Sequence, residues 1–132
     1  MDKRVERFLT NNHRAIMVTL RADGSPHVAR VAVGLVDGKL WSSGTQDRVR
    51  TKHVRRDPRA SLCVLDEGNA YSWLGLDTTV TILDGEDAPE LNLALYRVIA
   101  GEPDDVDHYK RAMVEERRLI YEFSIDKAYG AF

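Results

Sequence analysis

Apolar residues recur along this chain with a helical period in some segments and a strand-like period in others. Near the N-terminus, Val5, Phe8 and Leu9 fall on one face of a helix. Residues 27–36 alternate weakly and are rich in valine, which favours a strand. This reasoning predicts four helices, over residues 2–12, 47–57, 88–101 and 104–118. It predicts six strands, over residues 15–21, 27–36, 39–43, 60–66, 70–83 and 119–125.

Short turns connect most of the predicted strands. Asp23-Gly24 and Asp37-Gly38 tolerate positive φ, and Glu67-Gly68-Asn69 forms a third turn. Strands joined in this way pair in antiparallel fashion. Helices do not alternate with the strands, so a doubly wound parallel sheet is not expected. The pattern favours a small antiparallel barrel with helices at the ends and between the strands.

The segment SSGTQDRVRTKH, over residues 42–53, follows a predicted strand and opens a basic helix. Its first turns carry Arg48, Arg50 and Lys52, although cations are unfavourable at the positive end of a helix dipole. A phosphate or similar anion bound to the free N–H groups would remove this conflict. The alternative is a solvated basic face with no ligand.

Composition narrows the class of protein. Of the 132 residues, 43% are hydrophobic, which suffices for the core of one domain over residues 1–132. The net charge is −2, so no overall basic field predicts nucleic-acid binding. Without an apolar leader or a long apolar run, we expect a cytoplasmic protein with no membrane association. Cys63 is the single cysteine, so an intrachain disulfide is excluded.

No familiar catalytic motif stands out. The four histidines form no pair at a trusted metal-ligand spacing, and the paired acids lie on predicted helix surfaces. Trp41, Tyr71 and Trp73 offer flat surfaces, but aromatic residues in strands are more often core. The residues by themselves therefore predict a barrel with one phosphate-sized anion site, and they identify no reaction.

Four segments resemble a known family. Residues 19–28 (TLRADGSPHV) and 47–61 (DRVRTKHVRRDPRAS) resemble the flavin-binding split β-barrel proteins, the pyridoxamine 5'-phosphate oxidase-like group. Residues 95–102 and 109–118 are similar to the branch of that group that uses coenzyme F420, a deazaflavin, in place of FMN. The resemblance implies a mainly β fold, a six-stranded antiparallel split β-barrel with peripheral helices.

The resemblance also implies a cofactor site. Arg50 matches the family's basic phosphate ligand, and Arg48 and Lys52 flank it. The backbone facing the ring system would belong to Arg30, Val31, Ser42 and Ser43. F420 has an acidic oligoglutamate tail that FMN lacks, and the cations available for it are Lys52, Arg55, Arg56 and Arg59.

Family members of this kind are homodimers with cofactors in grooves between subunits, so Tyr71 and Trp73 would come from the partner subunit. Two departures are visible. Thr78 stands where a small glycine is expected, and the late Arg-x-His pattern of true pyridoxamine phosphate oxidases is missing, which argues against vitamin B6 oxidation.

The function expected from the resemblance is an F420-dependent reductase. It would transfer hydride from reduced deazaflavin to an electron-poor double bond of a small organic substrate, with no catalytic side chain required. Two alternatives stay open. One is an FMN-binding oxidoreductase of the same fold. The other is a non-enzymatic carrier of flavin-like ligands or an RNA-binding barrel that uses the basic helix.

Overall fold

A computed structural model describes every residue from Met1 to Phe132. The four helices are α1 (Lys3–Asn11), α2 (Val49–Arg56), α3 (Ala88–Ala100) and α4 (Val106–Glu115). The strands are β1 (Arg14–Leu20), β2 (Pro26–Ala32), β3 (Gly34–Val36), β4 (Lys39–Thr45), β5 (Arg59–Leu65), β6 (Trp73–Leu83) and β7 (Arg118–Ala131). No helix has the length and apolar character needed to cross a bilayer.

All four predicted helices and all six predicted strands are present, with two differences. The strand predicted over residues 27–36 is divided at Val33 into β2 and β3. The last strand runs to Ala131 and not to residue 125, because its final residues pair with the first half of β6, from Trp73↔Ala131 to Asp77↔Lys127. These final residues are small or polar and outward-facing, so their sequence carries no alternation that would have predicted a strand.

The seven strands form one antiparallel sheet in the order β2-β1-β5-β6-β7-β4-β3. β2 and β3 lie at opposite edges of this order although only Val33 separates them in the chain. The Val33 N–H donates to the His13 carbonyl at 2.8 Å, and the next residue, Gly34, already pairs with Trp41 of β4. The sheet must therefore curl until its edges meet. The Ser42 hydroxyl links those edges by donating to the Ala32 carbonyl at 2.7 Å.

The predicted six-stranded barrel is thus confirmed, with β2 and β3 acting as one bent strand that pairs with β1 and then with β4. Eighteen buried apolar residues fill its interior, among them Met17, Leu76 and Tyr121, each with no exposed surface. A smaller cluster of buried apolar residues packs α3 against the outside of the sheet. Gly34 permits this contact, since a Cβ there would lie 3.2 Å from a Val98 methyl group.

Helix α2 covers one end of the barrel, where β4 ends and β5 begins. Thr51, His53 and Val54 are its buried residues. The Val54 side chain joins the interior core, and the His53 Nδ1 atom lies 2.9 Å from the Thr19 hydroxyl of β1. The basic segment therefore forms a short helix with one face anchored in the fold and the rest directed to solvent.

Replacing Gly44 with alanine should destabilise the protein by roughly 1–3 kcal/mol, because the added Cβ would overlap the buried Tyr121 ring. Chemical denaturation monitored by circular dichroism measures this loss. Gly68→Ala is the control, since the nearest atom to its Cβ is the Asp66 Oδ1 atom at 3.7 Å and we expect a change within about 0.5 kcal/mol. Equal stability of the two variants would contradict the packing argument.

Candidate anion-binding site

Helix α2 begins without any side chain that caps it. Its N-cap residue is Arg48, which makes no capping hydrogen bond, and its first turn contains no acid. By contrast, Asp2 caps α1 by accepting from two backbone N–H groups, and Asp105 caps α4. Helix α3 also has no side-chain cap, but its first turn contains Glu90. The first N–H groups of a helix have no intrahelical acceptor and carry partial positive charge. The N-terminus of α2 therefore has neither a capping side chain nor an acid in its first turn, which makes it a candidate site for an anion.

Arg50 lies at this end in an unusual environment. Its side chain is half-buried, its Nε atom is buried without a hydrogen-bond partner, and it takes part in no ion pair. Its guanidinium carbon lies 5.9 Å from the centroid of the Tyr121 ring. Burial lowers the pKa of Arg50, and the nearby charges of Arg48 and Arg118 lower it further. A buried donor without an acceptor is costly, and an anion bound here would satisfy it.

The cations flanking Arg50 divide into free and paired groups. Arg48 and Lys52 are exposed and form no ion pair. Arg55 pairs with Asp84 at 2.9 Å and also donates to the Gln46 side chain. The other two cations considered for an acidic tail have partners as well: Arg59 pairs with Asp57 at 2.7 Å, and Arg56 donates to the Leu20 carbonyl. Of those four cations, only Lys52 is without a partner.

Arg59 lowers the pKa of its partner carboxyl. The pKa of Asp57 falls to about 2, because the Arg59 side chain and backbone N–H donate to it and favour its charged form. This carboxylate therefore stays ionised across the physiological range and keeps Arg59 engaged at the C-terminal end of α2.

The residues expected to face the ring system occupy two strands. On β2, Arg30 is exposed and Val31 is buried inside the barrel. On β4, the Ser42 hydroxyl is used in closing the barrel, and the Ser43 hydroxyl donates to the Asn92 side chain of α3. Both serine hydroxyls therefore already have acceptors within the fold, and a contact of their backbone with the ring stays a prediction.

Trp73 lies at the other end of the barrel from α2. It begins β6, pairs with Leu65 at the end of β5, and stacks edge-on against Tyr129 with 6.1 Å between ring centroids. Tyr71 is nearby in sequence and is 88% exposed. Within one subunit neither aromatic joins Arg50, so their contribution from a partner subunit stays a prediction.

The sequence did not predict that several other residues lie near Arg50 at the α2 end. Arg118 and Tyr121 come from β7, about seventy residues after α2 in the chain, and no local pattern connects them to Arg50. His27 and His53 also meet there, with ring centroids 5.1 Å apart. Distant strands bring these groups together, and their separation in sequence hides the arrangement.

The rings of His27 and His53 contact each other edge-on, with His53 buried and His27 half-buried. Burial lowers the pKa of His53, and the neighbouring His27, Arg56 and Arg21 lower it further. The His27 Nδ1 atom is buried without a partner. This atom and the Arg50 Nε atom are the two buried side-chain nitrogen or oxygen atoms that lack a hydrogen-bond partner. Arg50 belongs to α2, and the His27 ring contacts His53 of α2. The buried side-chain atoms that lack a hydrogen-bond partner thus lie at one helix.

Comparisons with known proteins match the whole barrel. The family model of pyridoxamine 5'-phosphate oxidase matches residues 1–130. The chain is 31% identical over 134 aligned residues to an F420H2-dependent biliverdin reductase of Mycobacterium tuberculosis, covering 94% of this chain and 83% of the relative.

Solved structures support the same fold. A conserved hypothetical protein of M. tuberculosis superposes with a TM-score of 0.80 at 17% identity, covering 97% of this chain and 82% of that one. A protein described as an F420 reductase superposes with a TM-score of 0.75 at 20% identity, covering 94% of each chain. Since the family model spans nearly all of the barrel, the chain belongs to the pyridoxamine 5'-phosphate oxidase family.

Proposed function

We propose that this protein is an F420-dependent reductase that binds the coenzyme phosphate at the N-terminus of α2. The observation that carries the proposal is the half-buried Arg50, whose Nε atom has no partner, at the end of a helix that no side chain caps. The relationship to an F420H2-dependent reductase supports an oxidoreductase enzyme and a flavin or deazaflavin cofactor.

The donor set fits a phosphate group. A phosphate presents several acceptor oxygens, and the site offers the Arg50 guanidinium together with the first backbone N–H groups of α2. No carboxylate pairs with Arg50 and competes for this position. Arg48 and Lys52 would add charge around the phosphate and toward the acidic tail of F420.

When bound, reduced F420 supplies a hydride, and the protein supplies binding, orientation and electrostatics. Arg50 and the α2 backbone would fix the phosphate and so the position of the attached ring. The backbone of β2 at Arg30 and Val31 and of β4 at Ser42 and Ser43 would lie along it. We propose an electron-poor double bond of a small organic molecule as the substrate. Biliverdin, named for the M. tuberculosis relative, is the first compound to test.

The second candidate is an FMN-binding oxidoreductase of the same fold. The ion pairs of Arg55 and Arg59 favour it, because these cations are already neutralised and contribute less to binding an acidic tail. FMN requires only the phosphate contact that Arg50 and α2 would provide. The free cations Arg48 and Lys52 support F420 as the first candidate.

We further propose that a second copy of the chain covers the outer face of β2, β1, β5 and β6. Val28 of β2 is 64% exposed and lies opposite Val18 of β1. Leu65 of β5 is 41% exposed and lies opposite Trp73 of β6. Exposed apolar residues on one sheet face are typical of an interface, and a two-fold dimer is the simplest way to bury them. Such a dimer would bring Trp73 toward the partner's cofactor groove.

Replacing Arg50 with alanine should weaken F420 binding by roughly 2–4 kcal/mol, because the bound phosphate would lose a desolvated charged donor. Fluorescence titration of the coenzyme measures the affinity. Without coenzyme, the melting temperature should stay constant or rise slightly, because a charge unfavourable to the helix dipole is removed.

The control is Arg59→Ala, which removes the same charge from an arginine already paired with Asp57. We expect it to leave F420 affinity nearly unchanged. If Arg50→Ala binds F420 as tightly as this control, the phosphate site has been assigned to the wrong residues.

F420 should bind more tightly than FMN at low salt, and the difference should shrink as salt is added. Exposed cations such as Lys52 would act on the acidic tail, and such pairs are screened over about 10 Å at 0.1 M salt. Parallel titrations of both cofactors at several ionic strengths test this, and Lys52→Ala should reduce the salt dependence for F420 alone. Tighter binding of FMN at every salt concentration would favour the second candidate.

Light scattering should return about twice the chain mass of 14.9 kDa. Val28→Lys should shift the protein toward monomer, because a charge would enter the proposed interface. Val114→Lys is a matched control, since Val114 is also 64% exposed but lies on α4, away from this face. A monomeric native protein, or equal effects of both variants, would refute the proposed interface.

A further inference from the structure

Tyr121 is a polar aromatic residue with no exposed surface, and it lies beneath the candidate anion site. It belongs to β7 and lies opposite Ser42 in β4. Its ring passes over Gly44, whose missing side chain leaves the room for it, since a Cβ at that position would overlap the ring atoms. The absence of a side chain at Gly44 therefore leaves room for the Tyr121 ring at the α2 end of the barrel.

The Tyr121 hydroxyl is bonded to the Thr51 hydroxyl in the first turns of α2. Thr51 Oγ1 also donates to the Thr45 carbonyl at 2.7 Å. Because the Thr51 proton is used there, the Tyr121 O–H must be the donor to Thr51 Oγ1. Burial raises the pKa of Tyr121, so this proton stays in place at physiological pH. A chain of two hydrogen bonds thus fixes the start of α2 against β7 and the end of β4.

The Tyr121 ring also faces Arg50. The guanidinium carbon lies 5.9 Å from the ring centroid, within the range at which an aromatic face attracts a cation. The Arg50 side chain makes no ion pair and its Nε atom has no acceptor, so the Tyr121 ring is the aromatic face that its guanidinium approaches beside the α2 N-terminus.

We propose that Tyr121 is a positioning residue for phosphate binding, acting through Arg50 with its ring and through Thr51 with its hydroxyl. This inference rests on the proposed function, which assigns the coenzyme phosphate to Arg50. A guanidinium and a helix end that are already in place bind a phosphate without first losing conformational freedom. Tyr121 supplies that order from inside the barrel, where its side chain has no exposed surface.

A matched buried aromatic residue, Phe123, makes it possible to distinguish positioning of Arg50 by Tyr121 from a purely structural role. Phe123 lies two residues further along β7, points into the same interior and is 4% exposed, with its ring centroid 6.5 Å from that of Tyr121. It has no hydroxyl and makes no contact with Arg50. Phe123→Leu and Tyr121→Leu therefore remove similar buried aromatic rings, and only the second removes the support of Arg50.

The experiment measures F420 affinity by fluorescence titration of the full-length protein, with thermal unfolding of each variant recorded in parallel. Tyr121→Leu should weaken F420 binding by about tenfold beyond the effect of Phe123→Leu, because the cation loses its aromatic face. Tyr121→Phe, which keeps the ring, should weaken binding less. In an Arg50→Ala background, Tyr121→Leu should have a much smaller effect on affinity, since the guanidinium that the ring positions is absent, whereas Tyr121→Phe, which removes only the bond to Thr51, should keep its effect.

Equal affinities for Tyr121→Leu and Phe123→Leu, with Arg50→Ala still impaired, would overturn the role of Tyr121 and leave the proposed phosphate site intact. Normal binding by Arg50→Ala would remove the phosphate site and the role of Tyr121 together. If Tyr121→Leu does not fold, Tyr121→Met compared with Phe123→Met tests the ring, and equal affinities of these two variants contradict positioning through Arg50. Wild-type affinity of Tyr121→Phe contradicts the role of the hydroxyl through Thr51.

Discussion

The barrel depends on one bent strand. At Val33 the chain leaves its pairing with β1 and begins to pair with β4, so the two edges of a seven-stranded sheet become neighbours. An open sheet would leave both edges unpaired and exposed to other chains. Closure removes those edges and creates a cylinder whose interior holds the main apolar core. The hydrogen bond from Ser42 to the Ala32 carbonyl secures the closure beside the bend.

Closure also determines where polar groups gather. At one end of the barrel, α2 must cover the interior with Thr51 and Val54 while its remaining face carries cations. The protein leaves the helix uncapped there and leaves the Arg50 Nε atom without a partner, whereas aspartates cap α1 and α4, and α3, which also has no side-chain cap, carries Glu90 in its first turn. These local costs occur together at the one place where an anion would relieve all of them.

Ion pairs reduce the number of free cations at and after α2. The basic run after Asp47 has the composition of one continuous positive surface, but Arg55 and Arg59 are neutralised by carboxylates. What remains is a compact group around Arg50, with Arg48 and Lys52 exposed beside it. The site is therefore suited to one phosphate with a limited attachment for further negative charge, which is the property on which F420 and FMN differ.

The local sequence pattern was sufficient to predict the helices, six strands and their turns, because periodicity and turn residues act over a few neighbouring positions. It was also sufficient to point to Arg48, Arg50 and Lys52, since cations at a helix N-terminus break a local rule, and the family resemblance singled out Arg50 among them. The extension of β7 to Ala131 required the partner strand β6, because pairing and not side-chain pattern makes those residues a strand. The contact of Arg50 with Tyr121 required the closed barrel, since only tertiary structure brings together groups about seventy residues apart.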